Sequence, residues 1–276
     1  MKTKMTPLAK IYVALIMLFL YAPIVVMIFF SFNSSVSTSV FTGFSVRWYS
    51  SLLHDEGTIK AVGNTLILAV SSSLIATIMG TAAAVGINSM KSKFVKRATM
   101  SVTNIPMMNP EIVTGISMML LFVFIGSILG ASGVLGFWTL FIAHVTFSLP
   151  YVILNVLPKL RQTDANLSQA AQDLGCTPVK AFIKVVLPSI LPGVVAGLIM
   201  AFTLSFDDFI ISYFVSGPKF QTLPIRIFSM TKKRVTPDMY ALSTIMFIVI
   251  LVLLVIVNVL QAQGDNKKQR KDGAAK

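Results

Sequence analysis

Six blocks of apolar residues, each long enough to cross a bilayer as a helix, dominate this sequence. They fall at roughly 10–32, 62–88, 100–129, 134–157, 186–216 and 239–261, and about 20 apolar residues suffice to span the hydrocarbon core. In lipid every backbone N–H and C=O has to be satisfied inside the segment, so such blocks fold as helices. The predicted fold class is all-α, a polytopic membrane protein with six transmembrane helices. Charged residues make up only 12% of the chain and hydrophobic ones 55%, against about 25% charged in soluble domains. The first block follows a Lys-bearing N-terminus as a signal peptide would. Ile11 to Phe30 is nevertheless about 20 residues, longer than a signal's apolar core, and no small-x-small cleavage site comes after it. It is expected to stay as the first span.

The formal net charge of +13 would suggest nucleic acid in a soluble protein. Here Lys and Arg sit in short clusters between the apolar blocks, the pattern of membrane topology, and no nucleic-acid partner is expected. Lys2, Lys4 and Lys10, then Lys91, Lys93, Lys96 and Arg97, then Lys159, Arg161, Lys180 and Lys184, and finally Lys267, Lys268, Arg270, Lys271 and Lys276 fall on one side if both termini are cytoplasmic. The outer loops then hold Arg47, Lys60, Lys219, Arg226 and the cluster Lys232, Lys233 and Arg234, which runs against the positive-inside rule. The expected organisation is a transmembrane domain over 1–261, with a cytoplasmic segment at 158–186, and a basic, unstructured tail over 262–276. The one cysteine, Cys176, excludes an intrachain disulfide and a multi-cysteine metal site. No nucleophile–base pair and no His/Cys/Asp/Glu metal cluster stands out, so neither catalytic nor metal residues are expected.

Two features interrupt the spans. Asn109-Pro110-Glu111 lies inside the third block and is expected to act as N-cap, first-turn proline and an acid matched to the helix dipole, so that two helices meet within the membrane. Broken helices at this depth are tolerated where they line a protein cavity; a cap beside a membrane-embedded turn with no substrate role fits equally. Asp207 and Asp208 lie about two-thirds of the way along the fifth block, and a central Asp costs roughly 2.5–3.5 kcal/mol on the insertion scale. They are expected to face a cavity, unless the run bends out so that the pair sits at the interface. On an undistorted helix Phe202, Phe206, Phe209 and Tyr213 would form one aromatic stripe, with both acids opposite. His144 and Asn155 in the fourth span are expected to make interhelical hydrogen bonds.

Between the fourth and fifth blocks, Asp164 is placed to cap a helix in which Leu167, Ala170, Ala171 and Leu174 recur at i, i+3, i+4 and i+7. Gly175 is placed to end it in a left-handed turn, and Thr177-Pro178 to open a second helix that stops at Leu187-Pro188. Small residues on an exposed stripe let another surface approach closely. An interfacial helix pair lying on the bilayer fits the same spacing.

Gln169-Ala-Ala-Gln-Asp-Leu-Gly175, with Phe182, Leu187-Pro188 and Pro192-Gly193 after it, resembles the EAA loop of ABC-importer permeases. Further stretches resemble the second permease subunit of the spermidine/putrescine family: Ser31-Phe-Asn-Ser-Ser35, Arg47-Trp-Tyr49, Asn64-Thr-Leu66, Pro110-Glu-Ile-Val113, Ser205-Phe-Asp-Asp208, Leu223-Pro224, Ile227-Phe-Ser-Met230, Thr236-Pro237 and Ala241-Leu-Ser-Thr244. The likeness runs over about residues 20 to 250, nearly the whole chain. It implies a type I ABC importer permease fold with a cytoplasmic coupling helix, in which Gln169, Ala170, Ala171, Asp173, Leu174 and Gly175 contact an ATPase subunit. It also implies a dimer of ATPase subunits, a second permease subunit and an extracytoplasmic solute-binding protein as partners, besides membrane lipid, in the plasma membrane of a bacterium. Asp207, Asp208 and Glu111 are the expected substrate-pathway residues. Gln169 stands where the family usually has Glu, which removes the charge assistance of one docking hydrogen bond. No G-x-x-x-x-G-K-[ST] stretch is present, so ATP and Mg²⁺ are expected on the separate ATPase and no cofactor on this chain. Two alternatives remain open: an ABC importer for another small solute such as an opine or phosphonate-like compound, or a proton- or sodium-coupled secondary transporter, which leaves the Gln169–Gly193 segment unexplained.

Overall fold

The computed structural model describes residues 6–37, 40–131, 133–164, 166–232 and 236–274, with side chains as far as Val255. Lys2, Lys4, Lys233 and Arg234, and the side chains of the basic tail, lie outside the described residues. Among those described, six helices are long and apolar enough to span a membrane. Four of them are close to the expected blocks: α1 (Pro7–Ser31), α3 (Glu56–Ser89), α6 (Phe137–Gln162) and α12 (Pro237–Ala274). The last continues as helix beyond residue 261, where the sequence composition suggests an unstructured tail.

The other two differ in an instructive way. The third block divides at Asn109-Pro110 into α4 (Lys93–Met108) and α5 (Glu111–Ile128), and α5 alone is the span. The fifth block divides at Asp208-Phe209 into α9 (Leu187–Asp207) and α10 (Ile210–Val215). Short amphipathic helices α2 (Arg47–His54) and α11 (Leu223–Thr231) fill the loops outside the blocks.

Contacts divide the chain into two units. The first holds the residues up to Ile59 together with Arg226–Val252. Asn33 organises its loop: the amide nitrogen donates to the carbonyls of Ser37 and Val40, both at 2.8 Å, and Oδ1 accepts from the Thr42 amide at 3.0 Å. The Trp48 indole donates to the Asn33 carbonyl at 2.6 Å, and the Ser31 and Tyr49 hydroxyls lie 2.7 Å apart. The Ser31–Ser35 and Arg47–Tyr49 stretches thus serve one loop. Asp55 accepts hydrogen bonds from the Thr58 hydroxyl and from Arg226 Nη2, the latter at 2.9 Å. The absence of a side chain at Gly57 makes room for the guanidinium, which a Cβ there would approach to 3.2 Å.

The Thr58 hydroxyl first, and then Arg226, hold the Asp55 carboxyl below its ordinary value. With its folded pKa depressed, Asp55 contributes stability that is present above the unfolded value of about 4 and is lost as pH falls through the folded one. Both partners are about a third exposed, so the contribution is small, on the order of 0.5 kcal/mol. Asp55→Asn is therefore expected to lower the thermal midpoint slightly at pH 7 and by less at pH 3. Unfolding scans at the two pH values check this.

The second unit comprises Lys60–Ile225 and the residues from Leu253 onward. Its principal packing is α6 against α9, through glycines. A Cβ on Gly193 would stand 2.8 Å from the Asn155 carbonyl oxygen and 2.7 Å from Lys159 Cγ; one on Gly197 would stand 3.3 Å from Val152 Cα. From the other side, a Cβ on Gly80 of α3 would meet Val152 Cβ at 2.7 Å. Val152 is fully buried between the two notches. Burying apolar area gives no drive for association in lipid, so close approach through small residues is what holds such helices together.

Candidate functional site

The fifth span breaks between its two acids. α9 ends at Asp207, whose carboxylate is exposed, and Asp208 takes an extended conformation (φ −62°, ψ 123°). Asp208 caps α10: Oδ1 accepts from the Ile211 amide at 3.2 Å and Oδ2 from the Ser212 amide at 2.7 Å. Its side chain is 5% exposed and lies 3.4 Å from His144 Nε2. A buried carboxylate that accepts backbone N–H groups at a helix start is a stabilising cap. The helix stops between the two acids rather than carrying both on one face: Asp207 is open and Asp208 is enclosed. The single aromatic stripe goes with it. Phe202 stacks on Phe206 within α9, while Phe209 and Tyr213 pair separately across the start of α10.

His144 of α6 spans this break. Nδ1 lies 2.7 Å from the Ser205 hydroxyl on α9, Nε2 lies 3.2 Å from the Ser212 hydroxyl on α10, and Ser205 reaches Ser72 of α3 at 3.0 Å. The interhelical bonding expected of His144 is present. Asn155 instead donates within its own helix, to the Tyr151 carbonyl at 2.8 Å.

Glu111 opens α5, where an acid suits the positive end of the helix dipole. Asn109 does not cap that helix. Pro110 holds the cap position, and the Asn109 amide donates to the Thr114 hydroxyl at 3.1 Å. One turn on, Gly115 lets α10 approach: a Cβ there would lie 3.1 Å from Phe214 and 3.5 Å from the Ile210 carbonyl. That contact lies one turn from Glu111, which is exposed at the start of α5. Glu111 and Asp207 are thus the exposed acids at the two breaks, and Asp208 is the buried one. Tyr151, packed against Phe147 with ring centroids 5.6 Å apart, is not among the residues expected from the sequence. Its position seven residues after His144 on one helical face is the available signal.

At the other candidate segment, α7 (Asn166–Asp173) begins after Asp164, whose Oδ1 accepts from the Asn166 amide at 2.9 Å. Gly175 has φ +87°, its amide donates to the Gln172 carbonyl, and the Cys176 amide donates back to Ala171 at 3.0 Å. This is the expected left-handed stop. Thr177 caps α8 (Pro178–Ala181). Gln169, Ala170, Asp173, Leu174 and Gly175 are exposed, Leu174 to 87%, whereas Ala171 is buried. The expected face therefore loses Ala171, which points inward. The second helix does not stop at Leu187-Pro188. It passes through a π turn, Phe182–Val186, directly into α9. Pro188 has no N–H to offer the Lys184 carbonyl, and the Leu187 amide bonds five residues back, to Phe182. A cavity of about 520 Å³ lies on this side of the fold, lined by Asn88, Arg161, Asp164, Ser168, Phe182 and Val186 among others, away from the acidic pair.

Six apolar helices, with a helix–glycine–helix excursion before the fifth, define a membrane transport subunit. Residues 72–269 match the family described as the binding-protein-dependent transport system inner membrane component, and the chain belongs to that family. It is a multi-pass inner-membrane permease subunit. Its relatives are 38% identical over 82% of this chain and 81% of theirs for the putrescine transport system permease PotI of Escherichia coli K12, and 36% over 86% and 87% for the spermidine/putrescine permease PotC of the same strain. Among solved structures, a bacterial ABC transporter that imports the acidic polysaccharide alginate gives a TM-score of 0.71 at 16% identity, covering 91% of this chain and 92% of that one. The same transporter with its substrate-bound periplasmic protein gives 0.71 at 17%, and the MetNI methionine transporter 0.59 at 17%. The fold is that of a type I ABC importer permease.

Proposed function

We propose that this chain forms, with a second permease subunit, the membrane pathway of an ATP-driven importer for putrescine or spermidine. An extracytoplasmic binding protein selects the cargo, and a separate pair of ATPase subunits holds ATP and Mg²⁺. The observation that carries the assignment is the 36–38% identity to putrescine and spermidine/putrescine permeases, supported by exposed acids, Glu111 and Asp207, at the two points where spans are broken. Exposed carboxylates at the two breaks suit a diammonium ion, which gains from anionic oxygens. The exposed Gln169–Gly175 face, with Leu174 uncovered, is the docking surface for the ATPase, and Gly175 and both chain termini are cytoplasmic.

The test is putrescine uptake into proteoliposomes holding the complete transporter. Asp207→Asn is expected to lower uptake about tenfold or more with the complex assembled, a loss equivalent to about 1.4 kcal/mol or more. Full transport by the Glu111→Gln/Asp207→Asn double variant would remove the pair from the pathway. Uptake without the ATPase subunits would overturn the assignment itself.

A further inference from the structure

We infer that His144 is a positioning residue for transport: by bridging the two sides of the break it fixes the direction in which the Asp207 carboxylate is presented. The inference rests on the pathway role proposed for Asp207. Its grounds are geometric. Nδ1 holds Ser205, two residues before Asp207 on α9, and Nε2 holds Asp208 and Ser212, one and five residues after it. Asp207 is therefore the residue between two anchor points of one imidazole that is 1% exposed and cannot move far. Ser72 of α3 holds Ser205 from behind at 3.0 Å.

The proton arrangement is set by the donor inventory. With Nε2–H donating to Asp208 Oδ2, Nδ1 accepts from the Ser205 hydroxyl, and Ser205 accepts from Ser72. The imidazole is then held at both nitrogens, with the Ser212 hydroxyl 3.2 Å from Nε2 as well, and coupled hydrogen bonds of this kind reinforce one geometry. If the imidazole is lost, Asp208 keeps its two amide donors, but α9 and α10 are no longer tied together across the break. The two acids divide the labour: Asp208 anchors, so that Asp207 is free to meet cargo.

Two near-isosteres separate positioning from mere packing. In His144→Gln the amide nitrogen reaches where Nε2 stands and can still donate to Asp208. In His144→Asn it reaches only where Nδ1 stands. Uptake by the complete reconstituted transporter, driven by its binding protein loaded with putrescine, is expected to fall about tenfold in maximal rate for His144→Ala and His144→Asn. The concentration of loaded binding protein giving half-maximal rate should stay unchanged, and His144→Gln, which keeps the Asp208 side of the bridge alone, should fall by a similar factor. His144→Ala combined with Asp207→Asn should be no slower than Asp207→Asn alone, because the positioned group is already gone.

Near-normal uptake in both His144→Gln and His144→Asn, each of which keeps only one side of the bridge, or losses that multiply in the double variant, would overturn the positioning role while leaving Asp207 in the pathway. Normal uptake by Asp207→Asn would instead remove the pathway role, and the positioning role with it. Should His144→Ala fail to assemble, the uptake of the Gln and Asn variants at assembled yield decides.

Discussion

Replacing Gly193 with leucine is expected to abolish recovery of the assembled permease from detergent, while Gly86→Leu leaves it unchanged. The two sites share a residue type and a helical setting but differ in what lies outside Cα. At Gly193 the first added carbon meets a backbone carbonyl at 2.8 Å and the Lys159 stem at 2.7 Å. The lysine stem can swing away, but the Asn155 carbonyl is part of α6 and cannot. At Gly86 nothing lies within 4 Å. Overpacking a tight contact costs about 1–3 kcal/mol and sometimes more, and here it also opens the contacts that Gly197 and Val152 make in the same seam. Alanine at 193 should give an intermediate thermal midpoint. Size-exclusion profiles and thermal scans of the three variants check the order. Recovery of stable Gly193→Leu complex would show that α6 and α9 are not held by this seam.

The second large effect is expected at Gly175, for the opposite reason. No atom crowds its Cβ position, yet φ is +87°. Side chains disfavour that region by about 1–2 kcal/mol, and a β-branched one by more. Uptake should therefore rank Gly ≈ Asn > Ala > Val, with Val below about a tenth of the unaltered rate, since Asn adopts this conformation more readily than other side chains. Because the turn is exposed, assembly of the permease pair should survive, and ATP hydrolysis should no longer respond to loaded binding protein. If Val transports normally, the turn does not couple the subunits. If Asn fails as badly as Val, the glycine is there for contact with the ATPase rather than for backbone freedom.

These sites differ in how legible they are in the sequence. The break at Pro110 is readable because proline removes a donor and restricts the residue before it. The Gly175 turn is readable because glycine comes after an apolar stripe and precedes Thr-Pro. The break at Asp208 is not, since no glycine or proline marks it and the run continues apolar through Val215. What ends α9 is partly tertiary: Asp208 caps the next helix through the Ile211 and Ser212 amides, and a histidine from α6 lies against its carboxylate. Helical periodicity alone therefore puts Asp207 and Asp208 on one face of one helix, and the structure gives them separate surroundings. The glycines at 193 and 197 are four apart in a span, a spacing that signals close helix approach, though the proline before Gly193 draws the eye to a break instead. Periodicity also places Ala171 on the exposed face, because it shows that a stripe exists and not which side of it is covered.

Val152 has one more implication. A side chain seated in notches on both flanking helices works as a key in two slots: α3 and α9 are each barred from slipping along α6 by a turn. If Gln169–Gly175 meets an ATPase as proposed, a push there reaches three helices locked at one side chain, and the first break in α9 beyond that lock is the joint between Asp207 and Phe209.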